Sequence, residues 1–431
     1  MADETPPDRY HALDALRGFA MFLGVLLHAA IPYLTVDVPF WPVNDPRGHP
    51  AFDLFMFAVH DFRMQVFFLL AGFFGALLYA RYGLRRTARH RLRRIGLPLV
   101  LGMATVQPAT QAALVYAAAA AYRDNPDRAG GRVFSRVMDA GGTPAEAVLH
   151  HFASGRFLDL LVPAHLWFLW YLVILFALIL PLAWVADRLR DRATGRRWDR
   201  LARWLLGSRW RWPVLTALSW LLLLPMSGPA GPDTPLDWAP LVPLVGYYSL
   251  FFLVGWTLYR HRDLLARFAR GWPVALLLAN VIVLPIAAVT FYLTLRPEAV
   301  GGPLRWLTLA AQALYTWLMV GGLLGLFQSW LSRERAWVRW LADSSYWCYL
   351  VSLPPVILFQ YWVTGWDVPA MVKFAIVTGS TTVLLLVSYR WLVRYTWIGR
   401  LLNGPRTPPG TAVPRPPAVP VIPALSGRIT G

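Results

Sequence analysis

Asp14, Arg17 and His28 stand inside a stretch, Ala12 to Leu34, that is otherwise apolar. A charge in the hydrocarbon of a bilayer costs from roughly 3 to more than 10 kcal/mol, so apolar spans keep such residues where a partner or a cavity receives them. Arg17 and His28 are eleven residues apart, which on a helix at ~100° per residue is three turns plus about 20°. They share one face, separated by about 16 Å of rise. The arrangement suits an anionic group held at one depth while chemistry proceeds at another. A second constellation, His60, Asp61 and Arg63 in the run HDFR, lies in the next apolar stretch, and His165 opens a later one in HLWFLWYL.

The elements that position these residues are membrane helices. A mean hydropathy of +0.45, with 57% hydrophobic residues, excludes an ordinary soluble domain. Twenty-two tryptophans fit a chain with many membrane interfaces, where an indole sits half wet. The apolar runs predict an all-α polytopic protein of about ten transmembrane helices, near 12–34, 54–80, 95–119, 164–186, 212–227, 241–259, 272–294, 305–330, 343–363 and 370–392. The fifth is the shortest. The first is long, holds Arg17 and lacks a small-residue cleavage site, so it reads as a span rather than a signal peptide.

The charge pattern sets the orientation. The net charge is +18, and every basic residue but Lys373 is arginine. Nucleic acid binding is the reflex reading, but the arginines gather in short loops between apolar runs: seven in 81–94, nine in 186–211, four in 260–270 and three in 333–339. The alternate segments 36–53, 228–240, 295–304 and 364–369 hold at most one each. That alternation is the positive-inside pattern and predicts two cytoplasmic termini and no nucleic acid partner. His28, His60, Asp61, Arg63 and His165 then fall in the outer half as one polar pocket, and Arg17 near the inner face. Residues 1–402 read as one membrane domain, and 403–431, rich in proline without a repeat, as a disordered cytoplasmic tail. The single cysteine, Cys348, excludes an internal disulfide.

Blander explanations exist for each feature. Asp14 and Arg17 at i,i+3 can pair as an interfacial anchor. His28 can be a packing residue, HDFR a structural ion pair, and His165 a member of an aromatic belt. The arginine run 81–94 orients the chain whatever else it does. A transporter or flippase also needs intramembrane charges, but a proton-coupled carrier needs mid-membrane carboxylates, and Asp61 is nearly the only one. A non-catalytic scaffold has no need of Arg17 and His28 on one face.

The opening RYHALDALRGFAMFLGVLLHA, then FRMQVFFLLAGFFGALL, RLRRIGLP, HLWFLWYL and SSYWCYLVSLPPV, resemble in order the integral-membrane acyltransferases of the acyltransferase 3 family, across nearly all of residues 9–400. The wording is most similar to the glucan-modifying branch. Ser352 stands where the family motif commonly reads YLVHLP. The resemblance implies transfer of an acetyl- or succinyl-type group from cytoplasmic acyl-CoA to an extracytoplasmic glycan or glycolipid, in an inner-membrane enzyme surrounded by lipid. It implies Arg17, Arg91 and Arg94 as the acyl-CoA-binding arginines and His28 as base or nucleophile. His60, Asp61, Arg63 and His165 are then the acceptor pocket, with Arg63 or Tyr171 as oxyanion donors. Acyl-CoA is a substrate, and no bound cofactor is expected; the histidines lack metal-ligand spacing.

Overall fold

The structure, a computed structural model, describes residues 10–36, 38, 41–124, 135–189, 193–228, 231–295 and 302–404. The proline-rich segment from 405 onward, expected to be a disordered tail, lies outside the described residues. Among the described residues all regular structure is helical. Helix α1 (His11–Ala30) runs into a short 3₁₀ turn, Ile31–Tyr33. Then follow α2 (Pro50–Arg91), a π turn Leu92–Gly96, α3 (Leu97–Asp124), α4 (Ser135–Asp139) and α5 (Pro144–Ala153). The middle of the chain forms α6 (Trp167–Arg188), α7 (Ala193–Gly207), α8 (Arg211–Leu223), α9 (Val242–Arg260) and α10 (Asp263–Phe268). The last part holds α11 (Trp272–Leu278), α12 (Leu284–Thr294), α13 (Pro303–Trp330), α14 (Ala336–Val351), α15 (Leu353–Thr364), α16 (Ala370–Ser388) and α17 (Trp397–Asn403).

Among the described residues seven helical stretches are long and apolar enough to cross a membrane: His11–Tyr33, Pro50–Arg123, Ala164–Arg188, Val242–Arg260, Trp272–Thr294, Pro303–Trp330 and Ala370–Val393. Three differences from the ten apolar runs of the sequence account for the smaller number. The second and third runs form one helical stretch of 74 residues, about 110 Å if straight and far more than one ~30 Å hydrocarbon layer. It is not straight: Gly83, at φ +70° and ψ −178°, interrupts α2. Residues 67–74 and 90–95 line the same cavity, so the chain has turned back between them. The arginine segment 81–94 is therefore helical rather than a loop. Helix α8 has 13 residues, about 20 Å of rise. The run 343–363 divides at Ser352, because Pro354 in the first turn of α15 has no N–H to extend the helix before it.

Helix α1 is the hub. It packs against α2, α13, α14, α15 and α16, and twelve of its twenty residues are buried. Apolar side chains gain little by leaving lipid for protein, so such helices associate through close packing and small residues. The α2–α9 crossing uses that device reciprocally: Gly72 meets the Phe252 carbonyl and Gly255 meets the Leu69 carbonyl, and a Cβ at either would overlap backbone. Aromatic rings fill the space beyond, with Phe68 stacked on Tyr248 (4.2 Å between centroids, 26° between planes) and Phe67 tilted against Phe168 at 5.3 Å.

Candidate active site

Arg17, Arg91 and Arg94 come together at one cavity of about 500 Å³, built from α1, both arms of the reversed α2 stretch, α6 and α14. Its volume is that of an ordinary small-molecule site. Arg17 pairs with Asp14 at 3.2 Å, and its side chain remains 39% exposed, so the local pair and a place on the cavity wall coexist. Arg91 lies over the Phe176 ring at 4.8 Å. Among the described residues its buried Nε and Nη2 have no hydrogen-bond partner. Buried guanidinium donors left unmade are costly, and a bound anion is one way to satisfy them. Arg17 and Arg94 are both within electrostatic reach of Arg91, so the three charges act on one volume. Arg94 is held by its main chain, whose carbonyl accepts the Tyr346 hydroxyl at 2.8 Å.

His28 lies deeper, in the last turn of α1. Met21 lines the cavity and precedes His28 by seven residues, about 10 Å of helix. Phe67 and Phe168 line the cavity beside it, with the Tyr349 ring edge-on to Phe168 at 6.0 Å. The imidazole Nδ1 is buried and has no hydrogen-bond partner among the described residues. The Arg63 guanidinium reaches across from α2 and lies against Gly24, one turn before His28, where a Cβ would overlap it. Arg63 and His165 both lie within electrostatic reach of His28, as Tyr349 and Tyr248 do of Arg63.

His165 donates from Nε2 to the Leu350 carbonyl at 3.1 Å. The neutral ring then presents Nδ1 as an acceptor, and this buried atom also has no partner among the described residues. The Tyr349 hydroxyl donates to the His165 carbonyl at 2.9 Å. Ser352, the departure from the family motif, ends α14 two residues past Leu350, with Oγ 3.5 Å from the Tyr349 carbonyl.

The residues expected to form one outer pocket divide between two sides of α2. Arg63 and His165 join His28. His60, though within electrostatic reach of Arg63, donates from Nε2 to the Pro232 carbonyl at 3.2 Å. Asp61 is about 200° around the helix from Arg63 and faces α13. Its carbonyl accepts the Thr316 hydroxyl at 2.6 Å, and a Cβ on Gly231 would come to 2.5 Å of its carboxylate. Tyr171 accepts from the Leu241 N–H at 3.1 Å, beside Trp167 and Tyr248. No three His, Cys, Asp or Glu side chains gather as a metal site among the described residues.

Several members of the site carry no obvious mark in the sequence. Gly24 could have been noticed one turn from His28, and Tyr346 and Tyr349 as an i,i+3 pair on one face of α14. Trp41 and Gln360, which meet His28 from 13 residues after it and from α15, have no spacing that joins them to it.

A family model described as an acyltransferase domain matches residues 10–390. Glucans biosynthesis protein C of Salmonella paratyphi B, of Salmonella heidelberg and of Salmonella enteritidis is in each case 37% identical over 95 residues, covering 22% of this chain and 24% of the relative. The match thus spans about a quarter of the length of these curated relatives. No solved structure matches the chain. Residues 10–390 hold the three arginines of the cavity and the His28 cluster alike, and the chain belongs to the acyltransferase 3 family.

Proposed function

We propose that the protein transfers an acyl group, of acetyl or succinyl type, from cytoplasmic acyl-CoA to a hydroxyl of an extracytoplasmic glycan or glycolipid. One observation carries the reading: guanidinium donors of Arg91 with no partner among the described residues line a cavity at one depth, and His28, whose buried Nδ1 has no partner among them either, lies about 10 Å further along the same central helix. The glucan named in the matched relatives supports a glycan as acceptor.

Arg17, Arg91 and Arg94 would hold the phosphates of CoA, for which planar, bidentate guanidinium groups are suited. The pantetheine arm would pass Phe67 and Phe168 and bring the thioester to His28. In the general-base route His28 takes the acceptor hydroxyl proton while the oxygen attacks the thioester carbonyl. The C–O bond forms, the C–S bond breaks, and the CoA sulfur leaves with the proton that His28 returns. In the nucleophilic route Nε2 or Nδ1 of neutral His28 attacks the thioester carbonyl, the C–S bond breaks and CoA leaves as the thiol with the other ring nitrogen's proton; the acceptor oxygen then takes the acyl group, the C–N bond breaks and the hydroxyl proton returns to the imidazole. Either route develops negative charge on the carbonyl oxygen, and Arg63 would be the donor that receives it.

Counting Pro50–Arg123 as two passes, α8 as a short one and the α14–α15 pair as one gives ten spans. With the arginine-rich segments inside, both termini lie in the cytoplasm, the protein is in the inner membrane, and His28 is in its outer half. The test is to incubate the purified protein with several labelled acyl-CoAs and follow CoA release and label on envelope glycans. His28→Ala should lower transfer about 100-fold or more without loss of folded protein. Near-normal turnover in that variant would return His28 to a packing role.

A further inference from the structure

We propose that Trp41 and Gln360 are positioning residues for His28, and that the buried Asp45–Lys373 ion pair fixes the segment carrying Trp41. The proposal rests on the reading of His28 as the reacting group. His28 stands in the last turn of α1, where its carbonyl accepts the Ile31 N–H of the helix cap and keeps a second lone pair for another donor. Gln360 of α15 supplies a donor, its Nε2 reaching the His28 carbonyl at 2.8 Å. The oxygen of the same amide accepts the Trp41 indole N–H at 3.0 Å. These two bonds fix the amide: its nitrogen must face His28 and its oxygen Trp41.

The indole also lies across the imidazole, 6.4 Å between centroids and 18° between planes. Reacting histidines are commonly oriented by a carboxylate or carbonyl on one ring nitrogen. Among the described residues the buried Nδ1 of His28 has no such partner. Orientation of the ring therefore falls to packing, and Trp41 is the aromatic face that supplies it.

Trp41 belongs to the segment between α1 and α2, which is tied down close by. Asp45 accepts from Lys373 Nζ at 2.6 Å, with both side chains 2% exposed or less. Lys373 also donates to the Thr364 carbonyl at 2.8 Å, one turn beyond Gln360 on α15. The Asp45 N–H donates to the Pro32 carbonyl at 2.9 Å and the His49 N–H to that of Tyr33 at 3.0 Å. A buried ion pair adds little stability over apolar side chains of equal volume, but both of its charges must find each other, and this fixes where the segment sits.

The test compares Trp41→Ala, Trp41→Phe, Gln360→Met and Gln360→Glu with His28→Ala in purified full-length protein, counting folded molecules by size-exclusion profile. Trp41→Ala and Gln360→Met should lower kcat about 10- to 100-fold, the scale of a misplaced catalytic group, with the donor KM changed by no more than about twofold. Trp41→Phe keeps a ring over His28 and should recover most of the loss. A purely structural role would lower the yield of folded protein and leave turnover per folded molecule unchanged, which overturns the proposal. Should Trp41→Ala not fold, Gln360→Glu decides, since it keeps the indole's acceptor and removes the donor to His28; unchanged turnover there overturns it equally. An inactive His28→Ala beside a fully active Trp41→Ala removes this proposal alone, whereas an active His28→Ala removes the reading beneath it.

Discussion

Gly24→Ala perturbs the cluster around His28 without changing His28 itself or adding charge. Alanine is about 1 kcal/mol better than glycine inside a helix, so local propensity favours the variant and α1 itself loses nothing. The cost falls on Arg63, whose guanidinium occupies the place of the new methyl group. To regain ordinary van der Waals separation it must move by about 1 Å. Misplacement of a catalytic group by that distance costs on the order of 100-fold, and loss of one oxyanion donor costs about the same or more. The expected outcome is a kcat lowered about 100-fold, or about 2.7 kcal/mol on the barrier, with donor KM and thermal unfolding little changed. The assay is acyl-CoA turnover by purified protein, with the unfolding midpoint measured on the same sample. In an Arg63→Lys background the guanidinium is gone, so the two substitutions should be strongly non-additive. Turnover of Gly24→Ala within about threefold of the parent, a barrier change below 1 kcal/mol, refutes the placement of Arg63 in the reaction.

Neutralising Arg91 or Arg94 to glutamine should raise the donor KM more than it lowers kcat. Because these residues also orient the chain, accessibility labelling must first show normal topology; an unchanged KM with normal topology leaves them as orientation signals alone. Lys373→Met leaves Asp45 buried without its cation and should cost about 3 to 5 kcal/mol in unfolding. The double variant Asp45→Asn with Lys373→Met should recover most of that, and equal losses in both would show that the pair is not the source.

Periodicity carried the central relation. Helix α1 is uninterrupted from His11 to Ala30, so Arg17 and His28 do share a face, as their eleven-residue spacing requires. The same arithmetic separates Asp61 from Arg63, two positions apart and about 200° around α2; grouping them by depth alone put both in one pocket. The arginines of 81–94 were visible as charge, but their helical form was not, because the reversal rests on the single positive φ of Gly83 and a π turn. The apolar run 343–363 hid the break at Ser352, which Pro354 imposes locally. Trp41 and Gln360 are 319 residues apart, and no local pattern brings so distant a pair to His28. Contacts of that kind are decided by how α15 packs on α1, which hydropathy does not specify.

Proteoliposomes holding the protein in one known orientation put the two-sided account to its most direct trial. Labelled acyl-CoA is supplied on one side and a glycan acceptor on the other, then the sides are exchanged. With Arg17, Arg91 and Arg94 at one depth and His28 about 10 Å beyond, acyl-CoA should support transfer only from the arginine-rich face. The acceptor should be modified only from the opposite face, and His28→Ala should abolish both. Equal rates with acyl-CoA on either side, or with donor and acceptor confined together to the arginine-rich face, would contradict the account.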